Sequence, residues 1–371
     1  MKKIFLAFIL FCAVSKPSYA LDISAEAGIV MTADGNQVVY EKNSDSRLPM
    51  ASTTKIMTAL VALEKTNPED IVTVSANAEG QEGSSIYLRR GDKIRMEDLL
   101  YGLMLNSGND AAVAVAEYVS GNVEEFSREM NSTAKKIGAE NSSFKNPNGL
   151  YDEEHYTTAY DLALITAHAM QNENFKKIVS TRETNAKINN SEVLYFSNHN
   201  KLLKMYDGAV GVKTGFTKRS GRCLVSAAER NGVTLIAVTL NAPNDWNDHM
   251  NMLDYGFSVC GMKEILTPNQ LLKTVNTETG GQIGALAKEG VSISAAEGKL
   301  PQCEVKLHLS ENLTPPIYIN EKIGEAEVFV NGKSYKITDI IADRDVTDTA
   351  KDFDSELLRV MKKWINCYLQ S

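Results

Sequence analysis

Residues 48–64 read LPMASTTKIMTALVALE, an apolar, helix-forming run into which Ser52 and Lys55 bring a hydroxyl and an amine. Three residues apart on a helix puts both side chains on one face, so a helix that starts between Pro49 and Ser52 aims them at one spot. A serine hydroxyl is a weak nucleophile until a neighbour takes its proton, and a lysine can do that when burial lowers its pKa. The spacing alone decides nothing, because Ser-x-x-Lys occurs twice more, at Ser132 with Lys135 and at Ser142 with Lys145. What distinguishes the first pair has to lie elsewhere in the chain.

Working outward, residues 25–43 alternate apolar and polar on both sides of Ala33-Asp34-Gly35-Asn36, which reads as a hairpin. Residues 96–119 read as two helices broken at Asn106-Ser107-Gly108-Asn109-Asp110, and residues 158–170 as a helix capped by Thr158. Residues 223–243 form two apolar runs around an Asn231-Gly232 turn, a β texture. Strands at both ends of a helical middle predict an α/β (α+β) unit whose terminal strands share one sheet. Past Gly261 the chain alternates valine and isoleucine, with a turn at Asn331-Gly332 and no long helical period, which predicts a small all-β domain. In residues 351–371, Phe353, Leu357, Leu358, Met361, Trp364 and Ile365 fall on one half of a helical wheel opposite Arg359, Lys362 and Lys363, an amphipathic helix.

The first twenty residues differ in kind. Two lysines, an apolar stretch from Ile4 to Val14 and a small-x-small ending at Ser18 and Ala20 make an export signal, too short to remain as a spanning helix. The plan is therefore a signal at 1–20, an α/β (α+β) unit at 21–260, a small all-β domain at 261–348 and an amphipathic helix at 349–371.

Composition is that of a folded globular chain, 43% hydrophobic and 23% charged. Loss of the signal removes Lys2, Lys3 and Lys16 and no acid, moving the formal charge from −8 to −11. So acidic a chain argues against nucleic acid as a partner. Cys223, Cys260, Cys303 and Cys367 are too scattered for a metal cluster or a disulfide framework and read mostly as lone thiols, a Cys260–Cys303 bridge being the pairing left open in an oxidising compartment. No metal or cofactor is expected.

Two further elements stand beside the first. The break between the two helices places Ser107 and Asn109 where they point into whatever lies alongside; the same tripeptide at Ser120 to Asn122 ends a helix and reads as a cap. Lys213-Thr214-Gly215 opens the β-rich section, and Gly215 allows close approach of a strand backbone to a ligand. The ordered set Ser-x-x-Lys, Ser-x-Asn, Lys-Thr-Gly is far more specific than any member alone and is shared by serine β-lactamases and penicillin-binding proteins. Residues 48–60, 83–112, 146–163, 199–232 and, in the β domain, 312–336 carry the resemblance further. The chain resembles the low-molecular-mass penicillin-binding proteins of the D-alanyl-D-alanine carboxypeptidase type.

That resemblance implies a β-lactamase/transpeptidase-like catalytic fold. It implies that Ser52 is acylated by the peptide carbonyl between two D-alanines, that Lys55 is the general base, and that Ser107 relays the proton to the leaving amine. Asn109 would hold Lys55 and the substrate backbone, Lys213 and Thr214 the terminal carboxylate, and the backbone N–H groups of Ser52 and Phe216 the oxyanion. The implied partners are the peptidoglycan stem peptide, β-lactams as covalent inhibitors, and a membrane surface met by the C-terminal helix. The implied location is the outer face of the cytoplasmic membrane.

Rival readings leave marks of their own. A Ser-His-Asp triad built on His155 and Asp161 lacks Gly-x-Ser-x-Gly around any serine, and in the family pattern this pair supports the fold beside the site. A class A β-lactamase adds a glutamate for its deacylating water, and no Glu-x-x-Leu-Asn stretch follows Ser107. A D,D-endopeptidase, or a penicillin-binding sensor that never turns over, would share the three motifs.

Overall fold

The computed structural model describes residues 21–189, 191–278, 281–310, 313–347 and 359–361. The expected signal at 1–20 lies outside them. So does the tail helix at 349–371 apart from Arg359, Val360 and Met361, which are helical.

The chain opens with the hairpin β1 (Ala27–Thr32) and β2 (Val38–Lys42), then a 3₁₀ turn over Ala51–Thr54 that leads into α1 (Lys55–Lys65). There follow β3 (Ile71–Thr73), β4 (Lys93–Arg95), α2 (Met96–Leu105), α3 (Asn109–Ser120), α4 (Val123–Ile137), α5 (Ala159–Ala169), α6 (Glu173–Ser180), β5 (Glu183–Ile188), β6 (Glu192–Ser197) and the short α7 (Leu202–Met205). Strands β7 (Ala209–Thr217), β8 (Gly221–Arg230) and β9 (Val233–Leu240) precede α8 (Asp245–Val259).

The first and last strands of this unit join in one antiparallel sheet of order β2-β1-β9-β8-β7. Period-two alternation explains how the sheet buries both faces. Ile29, Met31, Val225, Ala227, Ile236 and Val238 face the helical core with α1 to α6, whereas Val30, Leu224, Leu235 and Ala237 face Met252 and Leu253 of α8. Helix α8, which the sequence reading did not resolve, thus covers the second face. Strands β3 to β6 form a smaller sheet beside α2.

From residue 260 to 347 the regular structure of the described residues is β: β10 (Cys260–Leu266), β11 (Leu271–Asn276), β12 (Gln282–Ala287), β13 (Val291–Ala296), β14 (Cys303–Leu309), β15 (Lys322–Val330) and β16 (Lys333–Ala342). They form a pair, β10-β13, and a sheet of order β11-β12-β16-β15-β14 around Ile283, Ile323, Val328 and Ile340. The β1–β2 turn docks on this unit. Asp34 Oδ2 accepts from Ser294 N at 2.7 Å, and Gln37 Oε1 from Ala296 N at 2.8 Å. Cys260 and Cys303 are free thiols, as is the buried Cys223.

Candidate active site

Ser52 sits in the 3₁₀ turn, and the regular helix α1 begins only at Lys55, three residues later than the latest start expected from the sequence. The pair still shares a face, because 3₁₀ geometry eclipses residues three apart. Ala51 holds φ at +48°, which strains the turn at the residue before the hydroxyl, as recurs at functional sites. Two glycines let other backbones close on this turn. A Cβ at Gly149, whose φ is +89°, would lie 1.9 Å from the Ala51 carbonyl oxygen, and one at Gly215 would lie 3.1 Å from the Met50 carbonyl oxygen and from Ser52 N. The sequence reading gave Gly215 to a ligand; its missing side chain first of all admits the serine's own turn.

Lys55 is fully buried, and its Nζ lies 3.0 Å from Ser52 Oγ, 2.7 Å from Asn109 Oδ1 and 2.6 Å from the Asn148 carbonyl oxygen. Burial pushes its pKa well down, helped by the nearby Lys213 charge and opposed by Asp110. Asn109 Nδ2 donates to the Glu82 carbonyl, which can only accept, so Oδ1 must face the lysine. A neutral amine has two N–H donors and one lone pair. With two fixed acceptors at Asn109 and Asn148, the lone pair is left for the serine hydroxyl.

Ser107 sits in the middle of the α2–α3 break, between Asn106 and Gly108, in the left-handed region with φ at +62°. Its buried Oγ has no hydrogen-bond partner among the described residues. Lys213 on β7 is buried as well; burial lowers its pKa to about 7, and its Nζ donates to the Thr214 carbonyl at 2.9 Å. Thr214 is half-buried and Phe216 is exposed on the same strand. The sequence-derived residues Ser52, Lys55 and Asn109 therefore touch. Gly215 packs on the serine's turn, Lys213 is near enough to bias Lys55, and Ser107 lies two residues before Asn109 at the start of α3.

Two supports went unread in the sequence. Asp110 is wholly buried and accepts from Ser85 Oγ at 2.6 Å, Ile86 N at 3.1 Å and Leu88 N at 3.0 Å, pinning the loop whose Glu82 and Ser84 carbonyls hold Asn109. An acid in the first turn of α3 was the available signal. Asn148, in the segment after α4, contributes only its carbonyl to Lys55, which no side-chain pattern reveals.

His155 is held neutral, its pKa lowered to about 4 by burial. Its Nδ1 accepts from Lys145 N at 3.0 Å, so Nε2–H donates to Thr54 Oγ1 at 2.8 Å. Asp161 instead binds Asn141 N and Ser142 Oγ, at 2.7 and 2.8 Å. The two form no hydrogen bond with each other or with Ser52 among the described residues, so a triad is absent there. Among those residues no group of three or more His, Cys, Asp or Glu could hold a metal.

Comparison with known proteins identifies the family. Residues 12–244 match the family model for D-alanyl-D-alanine carboxypeptidase, and residues 261–348 match that for the penicillin-binding protein 5 C-terminal domain. The D-alanyl-D-alanine carboxypeptidase DacF of Bacillus subtilis is 33% identical over 92% of this chain and 90% of its own length. DacC of Escherichia coli, another D-alanyl-D-alanine carboxypeptidase, is 31% identical over 89% and 86%. The solved structure of penicillin-binding protein 5 from Haemophilus influenzae superposes with a TM-score of 0.64 at 28% identity, covering 88% of this chain and 98% of that one. The buried lysine aimed at a serine, the Ser-x-Asn break beside it and the Lys-Thr-Gly strand opposite thus stand in a chain that belongs to the D-alanyl-D-alanine carboxypeptidase family.

Proposed function

We propose that Ser52 is the nucleophile through which this serine D-Ala-D-Ala carboxypeptidase removes the terminal D-alanine from peptidoglycan stem pentapeptides. The observation that carries the reading is the 3.0 Å contact between Ser52 Oγ and a lysine amine that has no carboxylate ion-pair partner among the described residues and a strongly depressed pKa. Lys55 takes the hydroxyl proton, and Oγ attacks the carbonyl carbon of the penultimate D-alanine. The negative oxygen forms where the Ser52 and Phe216 N–H groups converge. Such donors are worth roughly 10²- to 10³-fold each.

The C–N bond then breaks, Ser107 Oγ passes a proton to the leaving nitrogen, and D-alanine departs. Ser107 recovers its proton from Lys55, which is thereby a free base again. Water then attacks the resulting ester and gives a proton to Lys55, the bond between the acyl carbon and Ser52 Oγ breaks, and Lys55 returns the proton to Ser52 Oγ. A β-lactam enters the same way, but its amine stays tethered after the ring opens, so the ester persists. Lys213 and Thr214 bind the terminal carboxylate, which restricts the site to free C-termini; a bound anion restores the Lys213 charge that burial weakens.

The catalytic unit spans residues 21–260 and the β domain residues 261–348. The tail at 349–371 lies flat on the outer face of the cytoplasmic membrane, supported by its wheel, by Trp364 and Tyr368, and by the cations Arg359, Lys362 and Lys363. Incubating the protein with an N-acylated peptide ending in D-Ala-D-Ala tests the reaction: free D-alanine appears with the intact protein and not with Ser52→Ala. Release by the variant, or none by the intact protein, overturns it. Deleting residues 351–371 moves the protein to the soluble fraction; continued sedimentation with membranes overturns the anchor.

A further inference from the structure

The two segments that close on the turn carrying Ser52 continue past it and meet again. Gly149 and Gly215 back onto residues 50–53 from either side. Two residues beyond the first is Tyr151, four beyond the second is Arg219, and the guanidinium carbon lies 4.9 Å from the ring centroid. This bridge joins the segment that supplies the Asn148 carbonyl to the β7–β8 turn that follows the Lys-Thr-Gly strand.

The turn is built to hold its tip still. Thr217 N–H donates to Ser220 Oγ at 3.1 Å while Ser220 N–H donates to Thr217 Oγ1 at 3.0 Å, leaving Lys218 and Arg219 exposed between them. Among the described residues Arg219 has no ion-pair partner; its contact is the face of Tyr151, itself 48% exposed. Of the neighbouring acids, Glu154 pairs with Lys145 at 2.6 Å and Asp152 Oδ1 accepts from Glu154 N at 2.8 Å, so among the described residues neither is tied to Arg219. A guanidinium laid on a ring keeps its edge N–H groups free, in the fork that fits a carboxylate.

Direction along β7 then assigns the subsite, on the reading above that the terminal carboxylate lies at Lys213 and Thr214 and the scissile carbonyl at Phe216. At roughly 3.3 Å per residue, Arg219 lies up to about 10 Å beyond Phe216. It lies away from the leaving D-alanine, beside the part of the stem peptide that precedes the scissile bond. We propose that Arg219, braced on Tyr151, is a specificity-determining residue that recognises a carboxylate on the side chain of the residue preceding D-Ala-D-Ala. Tyr151 is a positioning residue that acts through Arg219.

The test compares kcat/KM for two pentapeptides ending in D-Ala-D-Ala that differ at one place: that side chain ends in a carboxylate in one and in its carboxamide in the other. Penicillin labelling at one equivalent certifies that each variant is folded. The intact protein favours the carboxylate about 2- to 5-fold, the scale of an exposed charge-assisted contact. Arg219→Ala brings the ratio to about one, Arg219→Glu reverses it, Arg219→Lys keeps part of it, and Tyr151→Phe holds it where Tyr151→Ala lowers it. A ratio near one in the intact protein, or a ratio unmoved in Arg219→Ala, overturns the proposal while the carboxypeptidase reading stands. Absence of D-alanine release from both peptides overturns the two together.

Discussion

Ser52-x-x-Lys55 and Ser142-x-x-Lys145 have the same spacing and opposite chemistry. Lys55 is fully buried, has no carboxylate ion-pair partner among the described residues and holds its proton weakly. Lys145 is exposed, its side chain pairs with Glu154 at 2.6 Å, and that hydrogen bond raises its pKa above the ordinary lysine value. The serines differ in parallel. Ser52 Oγ meets the amine, whereas Ser142 Oγ is tied to Thr157 Oγ1 and Asp161 Oδ2, at 2.7 and 2.8 Å. The third pair, Ser132 and Lys135, lies in the amphipathic α4 with its lysine in solvent. Spacing delivers a side chain to a face; desolvation without a counter-charge is what turns an amine into a base at neutral pH.

The largest effect that can break this comparison is covalent. Ser52→Ala is expected to abolish labelling by penicillin, and Lys55→Ala to slow acylation by about 10²- to 10⁴-fold, the usual worth of a positioned base. Ser132→Ala and Ser142→Ala should label like the intact protein. Mass spectrometry of the labelled peptide decides it, because a penicilloyl group on Ser132 or Ser142 would reverse the assignment.

Lys213 sharpens the comparison from the other side, as a second buried amine that, on the proposed reading, has to be charged to bind the terminal carboxylate. Lys213→Ala should reduce kcat/KM on free C-termini by about 10- to 100-fold, the worth of a buried charged hydrogen bond, and affect the peptide amides little. With its pKa at about 7 against an ordinary 10.5, the free enzyme loses the Lys213 ammonium as pH rises above about 7. Binding of carboxylate peptides weakens in that range, and the limb vanishes in Lys213→Arg. Stability has the opposite sign. Between about 7 and 10.5 the unfolded chain holds a proton that the folded one has released, so stability rises with pH across that window. Equal losses on acids and amides would make Lys213 a structural residue.

Much of this was legible in the sequence, for identifiable reasons. The hairpin at 25–43, the helix break at Ser107 and the Asn231-Gly232 and Asn331-Gly332 turns came from local chemistry: period-two alternation and residues that tolerate positive φ, as Asn231 and Asn331 do here. The shared sheet followed from strands at both ends of the unit. Helix α8 was missed because its apolar residues face a sheet packed from its other side too, so its stripe is narrow and mixed with Asp245, Asp248 and His249, all buried. Ser52 and Lys55 were legible because their partners are side chains in ordered motifs. Asn148 was not, since a backbone carbonyl leaves no residue type behind, and Asp110 lay in the motif's own shadow, its role visible only once the 82–88 loop folds onto it.

A smaller effect separates support from chemistry at His155. Its pKa of about 4, against an ordinary 6.5, means that between these values the unfolded chain binds a proton the folded chain refuses. Stability therefore falls as pH drops from 6.5 toward 4, by about 3 kcal/mol at most. His155→Gln, which can still donate to Thr54 Oγ1, should flatten part of that slope in thermal melts. Part of what remains belongs to the buried His249, its pKa lowered to about 3 and its ring bonded to Thr239 and Ser226, and part to His199, whose pKa burial also lowers. A slope unchanged by the substitution would mean that His155 is charged in the fold, and the tautomer that holds Thr54 would have to be abandoned.

The smallest effect belongs to the look-alike pair itself. The Lys145 side chain meets Glu154 in solvent, where two long chains gain little from pairing and salt screens what they gain. What the position does for the site passes through its backbone N–H, which donates to His155 Nδ1 and survives any side chain except proline. Lys145→Ala should therefore leave D-alanine release and the pH-dependence of melting as they are, and Lys145→Pro should disturb both by removing the donor that fixes the His155 ring. If alanine alone lowers turnover, the exposed amine is reaching the reaction, and burial is not what separates the two Ser-x-x-Lys pairs.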